Sequence, residues 1–146
     1  MVNDSIKVVG DLIVLLYDQN GNKKDERKVK NLVVTNGKNH IASRLTSNAA
    51  VVMSHMAVGS SNTAPSTSQT ALTTELARVA LDSTTLTNAT STYTATFGAG
   101  VGTGTLAEAA ILNASSGGTM LCRTNFNEVN KAAGDTIVIT WNVTIS

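Results

Sequence analysis

The side chains in this sequence that could carry out chemistry are few, and the densest candidate feature is a glycine run. Residues 96 to 105 read TFGAGVGTGT, with Gly98, Gly100, Gly102 and Gly104 at alternate positions. A dinucleotide-binding loop requires G-x-G-x-x-G, yet the sixth position is Thr103 counted from Gly98 and Thr105 counted from Gly100. A P-loop requires a lysine directly after its last glycine to reach the phosphates, and no lysine lies between Lys38 and Lys131. The four glycines are therefore assigned to backbone geometry. They supply positive φ or close approach, either at a bulged corner of a sheet or against a symmetry mate in a trimer, and the plain alternative is a loop between two strands.

Other reactive groups are equally sparse. Cys122, His55 and Asp82 can be combined on paper as a nucleophile set, but no spacing brings them together. His40 and His55 are the only histidines and Cys122 the only cysteine, so no zinc-ligand spacing exists. The expectation is a chain without enzyme activity, cofactor or metal. Cys122, in TMLCRT, reads as a small buried hydrophobe on a strand. The N-x-S/T triplets at Asn88, Asn113 and Asn142 are frequent by chance in so Ser/Thr-rich a chain. One charged set stands apart: Glu75, Arg78, Glu108 and Arg123 all sit among apolar residues at or near strand starts. They must be paired if buried, and the alternative is that all four reach solvent.

The elements that must position these residues are mostly strands. With 146 residues the chain can form one compact domain that needs no staple. GDLIVLLYD, residues 10 to 18, followed by Asn20-Gly21, predicts a hairpin whose return strand runs through NKKDERKVK into NLVV at 31 to 34. Thr35 or Asn36 is expected to cap a short helix reaching about Leu45, with Ile41 and Leu45 on one face. VVMSHMAV at 51 to 58 predicts a strand, GSSNTAPSTSQT an exposed loop, and TALTTELA a single helical turn. In STYTATFG, Tyr93, Ala95 and Phe97 alternate with Thr92, Thr94 and Thr96, which predicts a half-buried strand. A second hairpin turns at Ser115 to Gly118, and the last strand alternates Ile137, Ile139, Trp141, Val143 and Ile145. The sum is a mainly β fold: an antiparallel sandwich or barrel of about seven or eight strands with an N-terminal hairpin and one short helix. Residues 1–46 form the hairpin and helix, expected to be an attachment element through Leu12, Val14 and Leu16, and residues 47–146 form the body.

Charge separates these two parts. Residues 1–46 hold eight basic side chains against five acidic, and residues 47–146 hold three against five. The acids interleaved in NKKDERKVK cut the field that nucleic acid would need, and suit a solvated strand edge. No apolar run spans a bilayer and the start lacks a signal-peptide pattern, so synthesis in a cytoplasm, with neither membrane nor nucleic acid as partner, is expected.

MAVGSSNTAPSTSQTALTTELARVAL followed by GTGTLAEAAILNASSGGTMLCRTNF is similar to the module at the head of phage tail-collar fibre proteins. The shared pattern is a Met-Ala-Val-Gly strand end, a proline-bearing loop, T-x-L-x-x-E-x-x-R, and E-x-G-[LI], where Ala110 replaces the glycine. The chain also resembles small stand-alone virion proteins of tailed phages that add the N-terminal hairpin and a KNLVVT segment. Because a long shaft follows the module in fibre proteins and this sequence ends at Ser146, the resemblance implies a self-contained virion protein. Capsid decoration (cement) is the first expectation, with the major capsid protein as partner, and a tail- or collar-associated adaptor the second. A carbohydrate- or receptor-binding module comes last, since one Trp and two Tyr offer little for sugar stacking. A homo-oligomer, preferably a trimer, is expected on the particle.

Overall fold

The computed structural model describes residues 4–46 and 50–146. Ten strands and one helix follow in the order β1 (Val8–Tyr17), β2 (Lys23–Lys30), β3 (Leu32–Val33), α1 (Thr35–Ser43), β4 (His55–Gly59), β5 (Glu75–Ala80), β6 (Ser83–Thr87), β7 (Thr90–Phe97), β8 (Gly104–Leu112), β9 (Met120–Lys131) and β10 (Thr136–Ile145). They form two five-stranded sheets, β2-β1-β10-β7-β6 and β3-β9-β8-β4-β5, whose pairings are antiparallel. The architecture is a β-sandwich. Neither sheet closes on itself, so the barrel alternative falls away. The strand number exceeds the expected seven or eight because β3 is only two residues long and residues 75 to 87 break into two strands at Leu81-Asp82.

Alternation builds the core. Leu12, Val14 and Leu16 of β1, Ala95 and Phe97 of β7, and Ile137, Ile139 and Trp141 of β10 are all buried. They pack against Met56, Val58, Leu106, Ile111 and Cys122 of the second sheet in one cluster. Each such aliphatic side chain contributes roughly 1.5–3 kcal/mol relative to exposure. Strand β10, the last in sequence, is central, with β1 on one side and β7 on the other. Strand β1 is likewise flanked on both sides, by β2 and β10. Strands β1 and β2 are thus built into the first sheet and β3 into the second, and the apolar face assigned to attachment is consumed inside the chain. The junction between residues 46 and 47 borders Ser47–Ala49, which lie outside the described residues.

Several local expectations are corrected. The helix starts one residue after Val34, which has extended dihedrals and offers no side-chain cap, so neither Thr35 nor Asn36 caps it. It ends at Ser43, and Leu45 is 87% exposed rather than packed beside Ile41. The strand expected over 51–58 begins only at His55, and Val51 and Val52 are exposed. No helical turn forms in residues 70–77; β5 begins at Glu75 instead. Among the described residues no helix is long and apolar enough to cross a membrane.

The glycine run is the crossover from β7 in the first sheet to β8 in the second. Gly100, Gly102 and Gly104 have φ of +77°, +66° and +126°, whereas Gly98 stays outside that region. A Cβ at Gly98, Gly100 or Gly104 would meet nothing within 4 Å, so within the chain no backbone crowds them. At Gly102 a Cβ would lie 3.2 Å from Val58 Cγ2 and 3.4 Å from Ala77 Cβ. Gly100→Ala is therefore expected to cost about 1–2 kcal/mol through left-handed backbone alone, and Gly102→Ala more, because packing strain adds to it. Paired thermal melts check the order; equal, unchanged melting temperatures would mean the turn relaxes freely.

Candidate functional site

The sequence-level nucleophile set does not assemble. Cys122 lies fully buried on β9, paired with Ile111 and Val33. His55, at the start of β4, has its Nδ1 2.7 Å from Ser54 Oγ, and Asp82, in the other sheet's approach to β6, accepts the Thr96 hydroxyl at 2.6 Å. Burial pushes the Cys122 thiol far above its ordinary range, so the thiolate that would attack or alkylate is suppressed. A maleimide is expected to leave Cys122 unlabelled in the native protein and to label it only in denaturant; fast native labelling would show that the site opens. Among the described residues no three His, Cys, Asp or Glu side chains converge on a metal-sized position.

What does assemble is the charged set, on the outer side of the second sheet. Glu108 of β8 and Arg123 of β9 are both completely buried, with Arg123 Nη2 and Nε donating to Glu108 Oε2 at 2.7 and 3.1 Å. Taking two charges out of water is costly unless every remaining polar atom finds a partner. The long β4–β5 loop supplies those partners. Glu108 accepts the backbone N–H of Thr74 at 2.7 Å, of Thr73 at 3.0 Å and of Ser61 at 3.3 Å. Arg123 Nη1 donates to the Thr63 carbonyl at 2.9 Å. One ion pair thus anchors both ends of the loop, and pins residues 73–74 in the bend that leads into β5.

Gly59, which closes the Met-Ala-Val-Gly strand end, belongs to the same cluster. A Cβ there would overlap the Thr74 carbonyl oxygen and the Glu108 carboxylate, so only glycine lets the loop return this closely over β4. Under the loop Val34, Ala57, Leu72, Ala110, Leu112 and Met120 form a second apolar cluster. Glu75 and Arg78 of β5 form a separate pair at 2.7 Å. Arg78 Nη1 also donates to the carbonyls of Ala114 and Gly117, both at 2.9 Å, and so fixes the β8–β9 turn. All four charges are engaged within the chain. The arrangement holds loops in place and leaves no free group directed at a ligand.

No spacing in the sequence marks Lys131, whose side chain is nevertheless buried and donates to the Gly98 carbonyl at 2.8 Å. Desolvation lowers its pKa, opposed by the nearby Asp135. Asp135 is held low by its 2.8 Å bond from Lys24 and by the Ala132 N–H. These contacts tie the glycine crossover, the β9–β10 turn and β2 together at one end of the sandwich. The Gly100 N–H adds a bond to the Ala133 carbonyl.

No curated protein sequence and no solved structure matches the chain. A sequence model of one family does match, over residues 26–145, from within β2 to the end of β10. The matched range contains the Glu108–Arg123 and Glu75–Arg78 pairs, the β4–β5 loop that the first of them anchors and the glycine crossover. That family is described as phage tail-collar fibre protein, N-terminal, a family of structural virion components, and the chain belongs to it.

Proposed function

We propose that this chain is a non-catalytic structural module of a tailed-phage virion, placed at the tail collar, where it joins other structural proteins. The observation that carries this reading is the family match across both sheets of the sandwich. The geometry supports it physically. The long loop is locked by internal charges, so its outward side chains, Ser61 to Gln69, present a fixed surface of hydroxyl, amide and proline groups suited to protein contact. Such a surface orders little on binding and so loses little entropy there.

Attachment then falls to outward-facing groups, because Leu12, Val14 and Leu16 are spent in the core. On the other side of β1, half-buried Ile13, Leu15 and Tyr17 lie beside Lys28, Glu26 and Lys23 of β2, an apolar strip with a mixed-charge border. Capsid decoration would use the same surface, but the family match favours the tail. Gold-labelled antibody against the chain, imaged on purified particles, tests the assignment. Label at the head–tail junction or along the tail is the expected result. Label spread over the capsid faces would replace it with decoration, and unlabelled particles would overturn both.

A further inference from the structure

Gly37 and His40 are the buried residues of α1. Gly37 seats so closely on β9 that a Cβ there would lie 2.0 Å from the Leu121 carbonyl oxygen. His40, in the next turn, is only 7% exposed, and its Nδ1 has no hydrogen-bond partner. Nothing acidic stands beside it. Among the residues lining the two clefts that border His40, only Arg44 and Tyr93 titrate, while β9 offers Leu121 and residues 50–53 offer Ala50, Val52 and Met53. Burial raises the Tyr93 phenol above its ordinary range, so it stays neutral. Across Ile41 a further cleft adds Lys7 and Lys38, both cations. The sequence has no acidic residue between Glu26 and Glu75, and no ion pair among the described residues involves α1. Arg44, the C-cap residue, already places a cation at the helix end whose carbonyls favour one.

We infer that His40 is an acid-sensitive latch: as a neutral imidazole it lets α1 seat on β9, and as an imidazolium it releases α1, with the segment that follows it, from this end of the sandwich. A charged ring in the seated helix would lie almost out of water, beside cations, with no acceptor for its Nδ1–H. Burial first, and then the Arg44 charge, accordingly lower the pKa of His40 from its ordinary 6.5. The seated helix thus binds a proton less readily than the released one. Seating is at full strength above about pH 6.5 and weakens as the pH falls from there to the lowered pKa of the seated state. One proton per chain limits the effect to about tenfold in the seated-to-released ratio per pH unit. Release uncovers Met53, Tyr93 and Leu121, which are buried while the helix is in place. The two sheets keep their pairing, because the β1–β10 and β8–β9 ladders do not pass through α1.

Hydrogen exchange of the full chain, read by NMR and corrected for the intrinsic rate, tests the latch between about pH 7.5 and about pH 5.5. In wild type the amides of α1 are expected to lose protection by up to about tenfold per pH unit below 6.5, while those of β8 and β10 hold theirs. His40→Gln, which cannot titrate, is expected to show no acid loss. Asn36→Asp sets a carboxylate one turn before His40, in a cleft that both residues line, and is expected to suppress the loss by pairing with the imidazolium. The His40 ring signal of wild type needs no variant, and is expected to titrate below 6.5. Unchanged α1 protection in wild type, a His40 ring that titrates at or above 6.5, or an acid loss that persists in His40→Gln would each overturn the inference.

Discussion

Arg123→Met is expected to destabilise the chain by about 3–5 kcal/mol, because it strands the Glu108 carboxylate as an unpaired charge in a completely buried position. Against a total stability of roughly 5–15 kcal/mol for a domain, that is a large share. Glu108→Gln should cost a comparable amount by stranding the guanidinium instead. The double variant Glu108→Leu, Arg123→Met separates two roles. Removing both charges together is often close to neutral, so much of the stability should return. The N–H groups of Thr73 and Thr74 and the Thr63 carbonyl nevertheless lose their buried partners. Residues 60–74 should therefore remain open to limited proteolysis in the double variant although the sandwich melts nearly normally. Urea unfolding measures the first effect and amide exchange at Thr73 and Thr74 the second. A single variant costing under about 1 kcal/mol would mean that water reaches the pair.

Deleting residues 1–34 is expected to leave no folded protein. The deletion removes β1, β2 and β3 and strips a neighbour from β10, the central strand. Leu12, Val14, Leu16, Val33 and Val34 are all buried. Truncating a single large buried aliphatic residue typically costs 2–5 kcal/mol, so losing five together with the pairing exceeds any plausible reserve. Far-UV circular dichroism and amide dispersion in NMR decide the matter. A folded, dispersed spectrum from residues 35–146 would show that the N-terminal hairpin is an appendage after all.

Much of the fold was legible in short-range pattern. The alternation of Tyr93, Ala95 and Phe97 with threonines, and of the isoleucines in β10, states which face is buried, because strand period two leaves no other reading. Asn20-Gly21 marks its hairpin for an equally local reason: Gly21 takes φ +83° while Asp18 accepts the N–H groups of Asn20 and Asn22. The misread segment is instructive. Residues 70–77 have the composition of a helical turn, but the N–H groups of Thr73 and Thr74 are taken by a carboxylate 35 and 34 residues away, a contact to which local propensity is blind. Charged residues in apolar surroundings pointed to Glu75, Arg78, Glu108 and Arg123, yet their partition into two pairs depends on the β8–β9 register. Lys131 carried no signal, since its burial follows from where the glycine crossover lands.

The most direct test of the central claim, that the chain is a tail-collar structural component, is its copy number in purified particles. Quantitative mass spectrometry of virions, with isotope-labelled peptides from this chain and from the major capsid protein, supplies the ratio. The account predicts a small fixed number of copies per particle, far below the capsid protein and in constant ratio to the tail proteins. A ratio near one to one with the capsid protein, or a chain missing from intact particles, would contradict it.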